Sequence, residues 1–178
     1  MKFTSAGMQD LWLIEPTVLE DHRGYFFEGF NKKTFEAKTN LNIDFVQDNE
    51  SKSTKGVLRG LHFQHGRYAQ AKLVRVLQGE VQDVVVDLRE GSLSYGKHYS
   101  VILSGKNRKQ LFIPRGFAHG FLVLSDSAIF SYKCDNYYNK ESEGGLLFNC
   151  PKLAISWELP GQELKLSEKD LVLSCFEG

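Results

Sequence analysis

Apolar residues in this chain recur at alternate positions in short runs, with Gly, Asn, Asp and Ser between them. That spacing belongs to half-buried strands rather than to helices. It predicts strands over Leu11 to Glu15, Tyr25 to Phe30, Val57 to Gln64, Ala71 to Gln78, Val81 to Leu88, His98 to Ser104, Gln110 to Ile113, His119 to Ser125, Ala128 to Cys134 and Ala154 to Trp157. Only Asn31 to Lys38, with Asn31 as N-cap, and the stretch Ser167 to Asp170 have helical character. About ten short strands and so little helix imply an all-β fold. A jelly-roll barrel of two antiparallel sheets around a central cavity, with short peripheral helices, fits best. No repeat, linker or low-complexity tract divides the chain, so residues 1–178 are expected to form one domain.

Alternation also suggests two hairpins. With Gly79-Glu80 as a two-residue loop, Lys72, Val74, Val76, Gln78, Val81, Asp83, Val85 and Asp87 share one face. Lys72 then lies among apolar residues on the same face as two carboxylates, where a lysine has to be paired or put to use. With Asp126-Ser127 as the second loop, His119, Phe121, Val123, Ser125, Ala128, Phe130, Tyr132 and Cys134 align, and Tyr132 comes near His119.

Composition narrows the class. A chain of 178 residues with 42% hydrophobic content can bury one substantial core. Its 22 basic and 22 acidic residues cancel, so no net field draws in nucleic acid or an anionic membrane. An anionic ligand would have to be held by local clusters. The first ten residues contain no apolar signal region, and no later run approaches the ~18 apolar residues of a membrane span. The protein is therefore expected to be soluble and cytoplasmic. Cys134, Cys150 and Cys175 are widely spaced and odd in number, and are read as free thiols.

The densest chemistry lies in Gly56-Val57-Leu58-Arg59-Gly60-Leu61-His62-Phe63-Gln64, followed by Lys72. An imidazole, a guanidinium and an amine stand there among strand-forming residues, where burying polar groups is costly unless they work. Simple alternation sends Arg59 and His62 to opposite faces. A bulge at Gly60 would bring them together. His22, His65 and His98 lie in turn-like or edge positions, whereas His62 and His119 are placed to face a cavity. His119 follows the turn Ile113-Pro114-Arg115-Gly116.

Pro114-x-Gly116-x-x-His119 resembles the second cupin motif, in agreement with a jelly roll. In metal-dependent cupins the first motif supplies His-x-His and a glutamate. Here His62-x-Gln64 lacks the second histidine, which leaves too few ligands, and no metal is expected. A fuller resemblance, over nearly the whole chain, is to the dTDP-4-dehydrorhamnose 3,5-epimerases. It is carried by Asp21-x-Arg23-Gly24-x-Phe26-x-Glu28, Phe45-x-Gln47-x-Asn49-x-Ser51, Gly56 to His62, Gln70-Ala71-Lys72-Leu73-Val74-Arg75, Asp83-Val84-x-Val86-Asp87, Ile113 to Phe121, Tyr132-Lys133 and Leu166-Ser167-x-Lys169-Asp170.

The resemblance implies an isomerase that needs no cofactor and acts on a dTDP-4-keto-6-deoxy sugar. It implies His62 as general base, Asp170 as the carboxylate that fixes its tautomer, Lys72 as stabiliser of the enolate, and Tyr132 as the acid on the opposite ring face. Arg23, Arg59 and Lys169 would neutralise the phosphates, and Gln47, Asn49, Glu28 and Glu143 would hydrogen-bond sugar and base. Tyr138 matches the aromatic that stacks on thymine, and His119 would touch the sugar near the reacting carbon. The resemblance also implies a homodimer in which an N-terminal strand crosses to the partner, bringing Arg23 and Glu28 to the neighbouring site. The pathway implied is dTDP-rhamnose synthesis for cell-surface polysaccharide. Gly66-Arg67-Tyr68 stands in place of a proline-rich stretch common in the family, and Asn139 to Ser142 in a region where the family frequently has a proline. The motifs do not separate a double epimerase from one that inverts C3 or C5 alone, nor from a sugar-nucleotide-binding cupin without turnover.

Overall fold

The computed structural model describes residues 1–178. In chain order its strands are β1 (Lys2–Ser5), β2 (Trp12–Glu15), β3 (Leu19–Asp21), β4 (Gly24–Phe26), β5 (Gln47–Thr54), β6 (Leu58–Gln64), β7 (Lys72–Gln78), β8 (Glu80–Asp87), β9 (His98–Ser104), β10 (Gln110–Ile113), β11 (Phe117–Val123), β12 (Ser127–Cys134) and β13 (Glu143–Gly145). Helix α1 (Lys32–Thr39) precedes β5, and the single turn α2 (Glu168–Leu171) lies near the C-terminus. Six strands form one sheet in the order β1-β2-β10-β7-β12-β5, and five form the other in the order β13-β6-β11-β8-β9. All the strand pairings are antiparallel. Strands β3 and β4 form a separate hairpin.

The two sheets face one another across a core that includes Val74, Val76, Val81, Val85, Leu111, Phe121 and Phe130. Each sheet is covered on its outer face as well. Phe35 of α1 packs with Ile14, Leu73 and Phe112 on the six-stranded sheet, with its ring 4.9 Å from that of Phe112. Asn31 caps α1 by accepting from Thr34 N at 3.0 Å. On the five-stranded sheet, Leu61, Val84 and Val86 are covered by Leu146, Leu153, Trp157 and Phe176. Strands β8 and β11, buried on both faces, are therefore apolar at consecutive positions as well as alternate ones.

Neither expected hairpin exists. Strand β7 belongs to the six-stranded sheet and β8 to the five-stranded one, and the same holds for β12 and β11. The face assignments survive, because residues expected side by side instead meet across the gap between sheets. Gly79 makes the first crossing with φ +81°, and a Cβ there would lie 2.1 Å from the Ser127 carbonyl oxygen. A two-residue connection reads identically in sequence whether it closes a hairpin or passes between sheets.

Three other expectations are corrected. Cys150 and Cys175 are joined in a disulfide with Cα atoms 5.1 Å apart, so only Cys134 is a free thiol. Their 25-residue separation concealed the pairing, which arises because the C-terminal segment folds back over the five-stranded sheet. Ala154 to Trp157 is irregular rather than a strand. The Gln82 side chain donates to Ser156 O and accepts from Glu158 N, both at 2.8 Å, where a neighbouring strand would otherwise pair. Conversely, Gln47–Thr54 is a full strand that the apolar pattern did not reveal.

Candidate active site

A cavity of about 480 Å³ opens between the sheets, lined by residues of β6, β7, β11, β12 and the C-terminal segment. It adjoins a polar cleft of about 300 Å³, the two sharing His62, Lys72 and Tyr132 in their linings. The sheets diverge in what they contribute. His62 and His119 come from the five-stranded sheet, Lys72 and Tyr132 from the six-stranded sheet, so the pairs face each other across the cavity.

The position of His62 depends on a local irregularity. Strand β6 pairs with β11 as His62 opposite His119 and Arg59 opposite Phe121, so three steps on β6 match two on β11. This bulge brings Arg59 and His62 to the same cavity. Gly60, in the bulge, has φ +120°, its peptide to Leu61 is cis, and a Cβ would lie 2.6 Å from Gly120 Cα. Only glycine fits so close a backbone approach.

His62 Nε2 donates to Asp170 Oδ1 at 2.6 Å, an assignment that follows because a carboxylate only accepts. The other ring nitrogen, Nδ1, is then free to take a proton. Asp170 reaches this point because the C-terminal segment returns to β6. Val57 bridges Lys165, and Leu58 N donates to Lys165 O at 3.0 Å. Ser167 caps the turn that follows, with its Oγ accepting from Asp170 N at 3.2 Å. The Asp170 side chain is 5% exposed and that of His62 31%, so the carboxylate is fixed in protein while the imidazole faces the opening.

Opposite, Tyr132 lies on β12 beside β7. Burial raises its phenol pKa, which keeps it protonated. The Lys72 ammonium stands 5.9 Å from the Tyr132 ring centroid. Lys72 keeps some accessible surface within the cavity, yet the surrounding protein lowers its pKa by desolvation. Cys134, next along the inward face of β12, is buried, and burial pushes its thiol up to about 11. The floor is a stack of Phe121 on Phe130, with centroids 4.2 Å apart, and His119 lies over Phe130 at 6.0 Å.

The polar cleft contains Gln47, Asn49, Tyr138 and Glu143. The Tyr138 hydroxyl donates to Glu143 Oε2 at 2.8 Å, and Lys169 Nζ pairs with Glu143 Oε1 at 2.5 Å. Burial alone would raise the Glu143 carboxyl, but Lys169 and Tyr138 outweigh it and hold it low. Gln47 Nε2 donates to Asn49 Oδ1 at 3.0 Å, and Gln47 Oε1 accepts from Tyr138 N at 3.2 Å. Arg59 is exposed at the mouth of the cavity, its Nε donating to Ser53 Oγ at 3.1 Å.

The chain thus brings together His62, Lys72, Tyr132, Asp170, Arg59, His119, Lys169, Gln47, Asn49, Tyr138 and Glu143. It does not bring in Arg23, which pairs with Asp21 at 2.6 Å on the β3–β4 hairpin, or Glu28, which accepts from Asn31 Nδ2 at 3.1 Å. Lys165 and Ser53 were not anticipated. Ser53 extends the alternation Gln47, Asn49, Ser51 by one step, a pattern that was available in the sequence. No group of three or more His, Cys, Asp or Glu side chains converges as a metal would require. His62 and His119, opposite each other in register, each give Nε2 to a separate carboxylate.

With this geometry in view, comparison with known proteins is specific. The family model described as dTDP-4-dehydrorhamnose 3,5-epimerase matches residues 5–177. The enzyme of that name from Escherichia coli K12 is 53% identical over 170 residues, covering 96% of this chain and 91% of its own. The crystal structure of the one from Elizabethkingia anophelis superimposes with a TM-score of 0.96 at 57% identity, covering 99% of this chain and 96% of its own. A Legionella pneumophila relative, solved with dTDP-4-keto-L-rhamnose, gives a TM-score of 0.93 at 48% identity, covering 98% of this chain and 92% of its own.

Proposed function

Because this chain belongs to the dTDP-4-dehydrorhamnose 3,5-epimerase family, we infer that it epimerises dTDP-4-dehydro-6-deoxy-D-glucose at C3 and C5 to dTDP-4-dehydro-L-rhamnose. The observation that carries this reading is that His62, held by Asp170 of α2, stands on one sheet and Tyr132 on the other, with Lys72 beside the tyrosine. Inversion needs a base and an acid on opposite faces of one sugar ring, and two facing sheets supply that arrangement.

The C4 ketone acidifies the protons on C3 and C5, but the gap to an imidazole is still on the order of a dozen pKa units, roughly 16 kcal/mol. A base alone does not close it. His62 Nδ1 takes the proton, and Asp170 stabilises the imidazolium that forms. The Lys72 ammonium faces the oxygen on which enolate charge develops, a contribution of about 3 kcal/mol for a preorganised donor. Tyr132 returns a proton from the other face, and its raised pKa suits it to give rather than to lose one at rest. His119 lies against the ring near the reacting carbons.

Around this centre, Arg59 and Lys169 neutralise the diphosphate, with the guanidinium suited to bidentate oxygen contacts. Tyr138 stacks on thymine, and Gln47, Asn49 and Glu143 hydrogen-bond base and sugar. We assign Arg23 and Glu28 to the neighbouring site of a homodimer, reached by exchange of the N-terminal strands. The β3–β4 hairpin supports that assignment, since it stands apart from both sheets and exposes Leu19, Tyr25 and Phe26 at 63%, 58% and 68%. No helix is long and apolar enough to cross a membrane. We propose a cytoplasmic enzyme whose product supplies rhamnose for cell-surface polysaccharide.

Incubation with dTDP-4-keto-6-deoxyglucose in D2O, followed by NMR, tests the reading. Deuterium at both C3 and C5, with the rhamno configuration appearing, is expected. Label at one carbon only would make the protein a single epimerase, and no label despite dTDP binding would remove the catalytic assignment.

A further inference from the structure

The ring assigned to stack on the base has little packing to hold it. Tyr138 is 52% exposed and lies on the connection between β12 and β13. Two glutamine carbonyls, one from each sheet, fix its backbone instead. Gln47 Oε1, at the start of β5 in the six-stranded sheet, accepts from Tyr138 N at 3.2 Å. Gln64 Oε1, at the end of β6 in the five-stranded sheet, accepts from Asn139 N at 2.9 Å. A backbone N–H only donates, so each side-chain amide turns its oxygen toward the connection. The two are not equivalent: Gln47 is half-buried, whereas Gln64 is 8% exposed and makes the shorter contact.

Gln64 also anchors a closed circuit. Asn139, held through its N–H, caps the next turn by accepting from Ser142 N at 3.0 Å on its Oδ1. His65 N, adjacent to Gln64, donates to Ser142 O at 2.7 Å. Glu143 then stands opposite Gln64 in the register of β6 with β13 and accepts from the Tyr138 hydroxyl at 2.8 Å. The backbone and the hydroxyl of Tyr138 thus both lead back to one position on β6. It is the position at which the His-x-His of metal-dependent cupins has its second histidine, and here it holds a loop. We propose that Gln64 is a positioning residue for base recognition: its carbonyl, through the Asn139 N–H, sets the Tyr138 ring to stack on the base of the nucleoside diphosphate. Gln64 acts through Tyr138 and takes no part in proton transfer. The proposal rests on the dTDP-sugar reading for the identity of the ligand, while the loop contact is measurable without one.

The test is Gln64→Met, which keeps the side-chain length and removes the acceptor. It is expected to weaken dTDP binding about 10-fold by calorimetry and to raise KM to match, with kcat within about threefold of wild type. Hydrogen exchange at the Asn139 amide should quicken in the ligand-free protein. In a Tyr138→Ala background the same substitution should cost almost nothing in dTDP affinity, because the group it positions is gone. The full loss in that background overturns the proposal, as does wild-type dTDP affinity in Gln64→Met or a fall in kcat at unchanged KM. If Gln64→Met does not fold, wild-type protein decides: an Asn139 amide that exchanges slowly, and more slowly still with dTDP bound, supports the proposal, and one that exchanges at the rate of an open loop with or without dTDP overturns it. A wild-type protein that binds dTDP but does not epimerise would instead count against the proposed function alone.

Discussion

Asp170 and His62 are 108 residues apart in the chain and 2.6 Å apart in space. The carboxylate is almost wholly enclosed and the imidazole is not, so Asp170 dictates which nitrogen of His62 is left free. Nothing in strand periodicity links the two. Their contact depends on the C-terminal segment, which runs beside β6 through the Val57 and Lys165 bridge before the Ser167 cap turns Asp170 inward.

Asp170→Asn should therefore lower kcat by about 10²–10⁴-fold, because an amide no longer stabilises the imidazolium or enforces its tautomer. KM should stay close to wild type, since the residues proposed to hold the phosphates and the base lie elsewhere. Steady-state assay of dTDP-4-keto-6-deoxyglucose turnover checks both, and a rise in KM with kcat intact would contradict the role.

Tyr132→Phe separates abstraction from return. Removing the phenol while keeping His62 should leave deuterium wash-in at the carbon facing the base, with inversion reduced about 10²-fold or more. Proton NMR in D2O distinguishes label from configuration in one experiment. Inversion at an undiminished rate would take the acid role away from Tyr132.

Stability at low pH should depend on Asp87. Burial alone would raise its carboxyl, but Arg89, Ser94 and Ser92 outweigh that and hold it far below the ordinary value of 3.8. A folded-state pKa below the unfolded one stabilises the fold fully above the ordinary carboxylate range and progressively less as pH falls through and below it. The urea midpoint should thus be flat near neutrality and fall below about pH 4. Arg89→Ala, which strands a side chain that is 0% exposed, should cost about 3 kcal/mol or more at pH 7.

The Cys150 to Cys175 disulfide should matter for the same segment that carries Asp170. It closes a loop of 25 residues, for which chain entropy suggests about 3 kcal/mol. Reductant or Cys175→Ser should lower the thermal midpoint, with a smaller loss of kcat as the segment loosens. Since cytoplasmic thiols are kept reduced, the midpoint with and without reductant is the measurement to compare. An unchanged midpoint would mean that Leu147 N donating to Ser174 O at 2.8 Å and the packing of Phe176 hold the segment unaided.

Local pattern specified the strand content, most strand positions, α1 with its Asn31 cap, the helical stretch at Ser167 to Asp170, and the inward faces of β7, β8, β11 and β12. Those are local properties, set by a period of two and by side chains that satisfy nearby backbone. Through family resemblance the motifs of the sequence also pointed to His62, Lys72, Tyr132 and Asp170, the groups proposed to carry the chemistry. What the chain could not reveal locally was which sheet each strand joins. The Gly79 and Asp126-Ser127 connections fit a hairpin or a crossing equally well, and only packing of the shared core chose the crossing. Strand β5 escaped notice for a related reason. Its inward residues Gln47, Asn49, Ser51 and Ser53 line the cavity or its mouth and need not be apolar, so its pairing with β12 comes from backbone hydrogen bonds that composition does not announce. The meeting of Arg59 with His62 required the bulge at Gly60, and the pairings of His62 with Asp170 and Cys150 with Cys175 required the C-terminal segment to fold back. Contacts between distant parts of a chain form where the whole core leaves room for them, and that is a property of the tertiary structure.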